Sequence, residues 1–230
     1  MLTTRNETIP AQEAGRELST YLELYKNNPV LLLLAGGSAL HVLEYTDTKY
    51  IAEQTTIMMM DDRFSSAPEE NNFLQMTKTF FYTKLTNSQC NFIPTVPETE
   101  EEHVAFSERI EAMLTRYIEA NPEATIIALF GIGTDGHTAA IFPMPHEDFI
   151  DTYGQGRLYT NVVYSQNQFE NRCSITPKFI TQYVNHSLIY AVGEEKRVIL
   201  EALHEPYELH ELPAYLHHQI GSTLFTDLEL

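Results

Sequence analysis

Ile126 to Pro143 reads IIALFGIGTDGHTAAIFP, and this stretch decides the fold. Ile126, Ile127, Ala128, Leu129 and Phe130 form a short continuous apolar run, the pattern of a strand buried on both faces. The run stops at Gly131, Gly133 and Gly136, where the chain can turn tightly or come close to a ligand. Asp135 and His137 stand just beyond that strand end. Open parallel sheets bind ligands outside the carboxyl ends of their strands. A glycine turn carrying an imidazole at such an end is a candidate active site, and imidazole, which titrates near neutral pH, suits general base catalysis.

Upstream the same pattern recurs. Val30 to Ala35, VLLLLA, is a second buried strand, followed by Gly36, Gly37, Ser38 and a short helix over Ala39 to Glu44. A strand, a glycine turn and a helix start present backbone N–H groups to an anion. A third strand, Thr56 to Met60, ends at Asp61, Asp62 and Arg63; its methionines suit core filling. Helical spacing predicts helices over Ala11–Asn27, Asn72–Lys84, and from the acidic run Glu98–Glu102 through Ile118. The acidic run suits the positive end of that last helix. Asn91–Pro94 is a short strand, and MPHEDFIDTYGQGR, after Pro143, reads as loop. Leu158–Tyr164 and Arg172–Thr176 alternate as an antiparallel strand pair. Helix Pro177–Val184, strand Ser187–Val192, helix Glu194–Leu203, a short helix in LPAYLHHQ and a last strand at Thr223–Phe225 complete the chain. Repeated strand–helix alternation predicts one doubly wound α/β domain over residues 1–230, with a mostly parallel sheet and helices on both faces.

At 230 residues the chain can bury one substantial core. No apolar run reaches the ~18 residues of a membrane span, and the N-terminus lacks a signal-peptide core. Cys90 and Cys173 fit no metal or redox spacing and read as free thiols of a reducing cytoplasm. Against 32 acidic residues stand 14 basic ones, a net charge of −18, which excludes the basic stripe of a nucleic-acid surface. In such a field any anion site must concentrate the few cations. Arg63, at a strand's carboxyl end, Arg172 and Lys196 are the candidates. Lys196 opens a helix after GEE, where the helix dipole disfavours a cation unless an anion is near.

Gly131, Gly133 and Gly136 also match GxGxxG, but no acidic residue ends a following strand as a dinucleotide site requires. The late histidines His204, His210, His217 and His218 match no zinc spacing and read as surface residues. No G-x-S-x-G elbow anchors a serine triad.

GIGTDGHTAAIFP resembles the GxGxDGHTASLFP motif of the 6-phosphogluconolactonases. AGGSAL resembles their SGGSTP, DDR followed by Asn71-Asn72 their DERxVP and later SN, RCSITP their RxTLTxP, VGEEK their GxxK, and LPA at Leu212–Ala214 their late LPA. Asp62 stands in place of a glutamate, Ala39-Leu40 in place of TP, and Ser65-Ser66 in place of VP. The resemblance implies a Rossmann-like fold of the glucosamine-6-phosphate isomerase/6-phosphogluconolactonase type. It implies hydrolysis of 6-phosphoglucono-δ-lactone in the pentose phosphate pathway, with neither metal nor organic cofactor. His137 would activate water and Asp135 would position it. Gly36, Gly37, Ser38, Asp61, Arg63 and Gly133 would line the substrate site, and Arg172 and Lys196 would hold the phosphate. The partner is then a small phosphosugar lactone, with neither nucleic acid nor membrane, and the expected assembly is a monomer or weak homodimer. Glucosamine-6-phosphate deaminase/isomerases carry a similar GxGxxGH but place a catalytic glutamate five residues beyond the histidine, where this chain has Phe142. A non-catalytic phosphosugar-binding regulator is a further reading. The resemblance then implies that Arg172 and Lys196 approach one another in space, neither paired with a buried carboxylate.

Overall fold

The computed structural model describes residues 1–85 and 88–230. Its centre is a seven-stranded sheet in which every neighbouring pair is parallel. The strands are β1 (Thr3–Asn6), β2 (Val30–Leu34), β3 (Thr55–Met59), β5 (Asn91–Ile93), β6 (Thr125–Phe130), β9 (His186–Tyr190) and β10 (Thr223–Thr226), in the order β1-β10-β9-β6-β2-β3-β5. β2, a continuous apolar run, is buried along its whole length, and so is β3, although it opens on Thr55 and Thr56, as strands in a two-sided parallel sheet are. A smaller antiparallel sheet holds β4 (Asp61–Arg63), β8 (Asn171–Ile175) and β7 (Tyr159–Val163), the expected pair with a third strand added. The helices are α1 (Pro10–Leu24), α2 (Asn72–Met76), α3 (Phe80–Leu85), α4 (His103–Ala120), α5 (His146–Tyr153), α6 (Pro177–Tyr183), α7 (Arg197–Ala202) and α8 (His217–Ile220).

Strand order places the site. From β2 the chain builds outward through β3 and β5; it then returns to the other side of β2 with β6, β9 and β10. The direction of winding reverses between β2 and β6, where loops leaving the carboxyl ends diverge and open a crevice. Gly36–Ser38 leaves β2 and Gly131–Gly136 leaves β6 at that point. Met60 joins the two sheets: its N–H donates to Leu34 O in the large sheet (2.9 Å), and its carbonyl accepts from Ile175 N in the small one (2.8 Å). The small sheet thereby hangs from the end of β3, beside the crevice.

Several expectations need correction. The loop after Pro143 contains α5: Glu147 and Asp148 suit its first turn, Phe149 and Tyr153 bury one face, and Gly154 N–H closes it on Ile150 O. Its proline and glycine flanks, read as loop signals, are helix start and stop signals. The helix expected over Asn72–Lys84 breaks between Met76 and Phe80. There the Thr77 and Thr79 hydroxyls donate to Leu74 O and Met76 O, and Thr79 Oγ1 accepts from Tyr82 N to start α3. β1 is polar and lies at a sheet edge, so no apolar pattern announced it. The short helix after Gly36 is a 3₁₀ helix, Gly37–Tyr45. His217, read as a surface residue, is fully buried.

Asp62 ties β4 to α2. Its carboxylate, fully buried, accepts from Arg63 N (2.8 Å), Asn72 N (2.6 Å), Phe73 N (3.0 Å) and Thr95 Oγ1 (2.6 Å). Burial pushes its pKa up to about 7, with Asp61's charge adding to the rise and the hydrogen bonds opposing it. A carboxyl whose folded value lies above its unfolded ~3.9 binds its proton more tightly when folded. Its contribution to stability is therefore full below ~4 and is lost as pH rises through about 7. Asp62→Asn, whose amide cannot accept from all four donors, is predicted to cost ~1–3 kcal/mol. In urea unfolding, the stability difference between native and variant should shrink as pH rises across that window. A difference independent of pH would contradict the assignment.

Candidate active site

The carboxyl ends of β2, β3 and β6 open on one cavity of about 420 Å³. Gly36, Gly37, Ser38, Asp61, Arg63, Gly133, His137, Arg172 and Lys196 all line it. The structure thus brings together residues spread over 160 positions of sequence (196 minus 36). Asp135 is exposed and does not line the cavity itself, but its carboxylate is bonded to His137.

The turn after β6 is built to aim an imidazole. Gly133 N–H donates to His137 O (2.8 Å) and Gly136 N–H to Gly133 O (3.0 Å), closing residues 133–137 into a tight loop. Gly136 has φ +84, a conformation that favours glycine. A Cβ on Gly133 would lie 2.1 Å from His137 Nδ1 and 2.5 Å from Asp135 Oδ1, so only glycine admits the pair there. Asp135 Oδ1 accepts from His137 N (3.2 Å) and from its Nδ1 (2.5 Å). Burial raises Asp135's pKa, but the bonds and charge of His137 outweigh it and hold the carboxyl below its usual range. An ionised carboxylate only accepts, so Nδ1 carries the ring proton and Nε2 keeps its lone pair. The pair therefore presents an imidazole of fixed orientation, an arrangement chemically able to act as a base. Fully buried Phe142 backs it, its ring 4.9 Å from the imidazole and stacked 4.3 Å from Tyr164.

Three cations line the same cavity as His137. Arg63 and Arg172 are direct partners in the antiparallel β4–β8 ladder, where like charges oppose one another. Arg63 donates through Nη1 to Glu70 O (2.6 Å) and lies over the Phe169 ring (4.6 Å). Burial, then the charge of Arg172, lower its pKa. Arg172 Nη2 donates to Asp61 Oδ2 in a buried ion pair. The expectation that no buried carboxylate pairs with Arg172 is thus corrected, because a guanidinium this deeply buried needs a counter-charge. The Nε atoms of both arginines are buried without a partner. Lys196 Nζ donates to Ile132 O (2.7 Å), leaving two further N–H donors on its ammonium, and burial lowers its pKa. The first turn of the 3₁₀ helix Gly37–Tyr45 carries no side-chain cap and borders the same cavity. Its unpaired N–H groups add to the anion-favouring wall.

Asn72, Ala139 and the segment Gln166–Phe169 also line the cavity and were not singled out as site residues. Asn71-Asn72 was quoted as a motif, but its role needed the fold. Asn72 Nδ2 donates to Asp61 O (3.1 Å), and its buried Oδ1, unpartnered, lies where a Cβ on Gly36 would come within 2.2 Å. Gln166–Phe169, in the connection from β7 to β8, carries no pattern that distinguishes it from any polar loop. Among the described residues, no group of three or more His, Cys, Asp or Glu side chains is placed to hold a metal ion, and no helix is long and apolar enough to cross a membrane.

Residues 8–225 match the family described as glucosamine-6-phosphate isomerases/6-phosphogluconolactonase. Among solved structures, the fold is similar to a 6-phosphogluconolactonase from Thermotoga maritima, with TM-score 0.76 and 18% identity over 98% of each chain. It is also similar to one from Shewanella baltica, with TM-score 0.75 and 18% identity over 98% of this chain and 97% of that one. A third, from Trypanosoma brucei, has TM-score 0.74 and 17% identity over 98% and 96%. No curated protein matches the sequence.

The imidazole's aim depends on Gly133. The His137 Nδ1 proton, held in a 2.5 Å bond to Asp135, should resonate well downfield of ordinary imidazole N–H protons. Gly133→Ala should abolish that resonance in a protein that remains folded, because the new methyl group displaces the ring. An unchanged downfield proton in the variant would contradict the packing described.

Proposed function

The chain belongs to the glucosamine-6-phosphate isomerase/6-phosphogluconolactonase family, and on that premise we propose that it hydrolyses 6-phosphoglucono-δ-lactone to 6-phosphogluconate. The observation that carries the reading is the cavity itself. In a chain of net charge −18, Arg63, Arg172 and Lys196 converge on one cavity that an oriented imidazole also lines. That arrangement suits a phosphorylated substrate whose reacting carbonyl lies at the base.

A lactone is an activated ester, so a base and N–H donors suffice. The phosphate is held by the cations, with Lys196 supplying free N–H donors. Water is placed at the His137 Nε2 lone pair and attacks the lactone carbonyl carbon while its proton passes to Nε2. Asp135 stabilises the imidazolium formed, through the Nδ1 proton it already accepts. The tetrahedral oxyanion faces the N–H groups of the Gly37 helix start. The bond from the carbonyl carbon to the ring oxygen then breaks, and the Nε2 proton moves to that departing oxygen. The base is regenerated, and the open-chain carboxylic acid so formed releases its remaining proton to water to give the carboxylate product.

Phe142 supports the lactonase over the deaminase/isomerase reading. An aldose–ketose isomerisation needs a further acid–base group, and the position five beyond His137 holds an apolar ring packed between the imidazole and Tyr164. Retention of an oriented Asp135–His137 pair favours catalysis over a regulator that only binds phosphosugar. Two free cysteines suit a reducing, cytoplasmic setting. We place the enzyme there as a monomer or weak homodimer.

His137→Asn keeps size and polarity but removes the base. The variant should lose ~10²–10⁴-fold in kcat, the usual worth of general base catalysis, while still binding 6-phosphogluconate. Turnover must be corrected for spontaneous lactone hydrolysis. A His137→Asn protein with near-native kcat would return His137 to a structural role.

A further inference from the structure

We propose that His217 is a positioning residue for this site: together with Ala214 it clamps the residues on either side of His137 and so fixes where the imidazole stands. The inference rests on the reading of His137 as the base.

His217 lies on α8, fully buried, with both ring nitrogens engaged. Nε2 is 2.9 Å from Thr138 Oγ1, and Nδ1 is 3.0 Å from Ser222 Oγ. The direction of every bond in this network follows from counting protons. Thr138 Oγ1 donates its one hydrogen to Gly131 O (3.1 Å), so toward His217 it must accept, and Nε2 carries the proton. Nδ1 is then bare and accepts from the Ser222 hydroxyl. Ser222 has spent its hydrogen, so Ser187 Oγ donates to it at 2.7 Å. One directed chain runs from Ser187 on β9 through Ser222 and His217 to Thr138, ending on the carbonyl where β6 gives way to the glycine turn. Thr138 and Ser222 are buried with it, and Ser187 is 7% exposed. The chain requires a neutral ring. Burial, with the charge of His218 adding to the effect, pushes His217's pKa down to about 3.

The same segment grips the other side of His137. Ala214 N–H donates to Gly136 O (2.9 Å), and the Leu212 side chain packs where a Cβ on Gly136 would come within 2.3 Å. Residues 136 and 138 are each tied to residues 212–217, and residue 137 hangs between them. Three glycines in seven positions (131, 133 and 136) leave the turn little stiffness of its own. Besides the bonds within residues 133–137, its geometry is held from outside, by a segment that does not line the cavity.

A histidine that merely filled the core against Phe130, 4.7 Å away, would act through volume alone. Two near-isosteric substitutions separate the roles. A glutamine amide can reach the Nε2 position and donate to Thr138 but loses the Ser222 contact. An asparagine can reach the Nδ1 position and accept from Ser222 but loses the donor to Thr138. His217→Asn should lower kcat ~10–100-fold, the order expected for a small misplacement of a reacting group, with KM little changed because the cations are untouched. It should also shift or broaden the downfield His137 Nδ1 proton resonance. His217→Gln should retain both properties. Thr138→Val, which removes the acceptor from the other side, should reproduce the asparagine phenotype and add nothing to it in the double variant. It also serves if His217→Asn does not fold. The proton resonance needs no substrate, so it reports on the clamp even if the native protein hydrolyses no lactone. Equal kcat and an unmoved His137 resonance in the Asn, Gln and Val variants would overturn the proposal.

Discussion

Arg63 and Arg172 face each other across the β4–β8 ladder. Like charges directly opposite on a sheet destabilise it by roughly 0.2–1 kcal/mol even at a surface, and both side chains here are largely withdrawn from water. Asp61 offsets one of them. Removing such a buried partner typically costs ~3–5 kcal/mol, so Asp61 holds the fold together as much as it lines the cavity. What remains is a concentration of cations, Arg63, Arg172 and Lys196, on one cavity in a chain of net charge −18. Much of the structure follows from putting it there. Met60 carries the chain out of the large sheet into the small one, β4 and β8 set the arginines in register, and Asp62 anchors the start of α2 so that Asn72 closes the floor.

The base is assembled on the other side of the same crevice by a different device. Its precision comes from the absence of side chains: Gly133 leaves room for the Asp135–His137 pair, and the backbone folds back on itself around it. A turn so rich in glycine is pliable, and the C-terminal segment supplies the rigidity it lacks. Arg63 and Arg172 on the small sheet, Lys196 after β9, His137 after β6 and the N–H groups after β2 thus come together from separate elements beside the reversal of strand order.

The sequence disclosed the parts of this arrangement that have a local signature. Continuous apolar runs marked β2 and β6, and the glycine turns after them marked two of the strand ends that matter. The scarcity of cations singled out Arg63, Arg172 and Lys196 before any coordinates placed them around one cavity. What stayed hidden was nonlocal. The Asp61–Arg172 pair joins positions 111 apart, and the His217–Thr138 contact joins positions 79 apart. A histidine beside another in LPAYLHHQ looks like surface until its hydroxyl partners are known. α5 was missed for a local reason: at eight residues it is barely two turns, and its capping residues are also the common residues of loops.

The claim on which the account rests is that the cavity is made for a sugar acid carrying a phosphate. Calorimetric titration of the native protein with 6-phosphogluconate and with gluconate tests it most directly. Charge-assisted hydrogen bonds contribute ~1.5–3 kcal/mol each, so two of them predict at least ~10²-fold tighter binding of the phosphorylated ligand. Lys196→Ala should weaken 6-phosphogluconate while leaving gluconate unchanged. Equal affinities for the two ligands, or neither binding, would contradict the account.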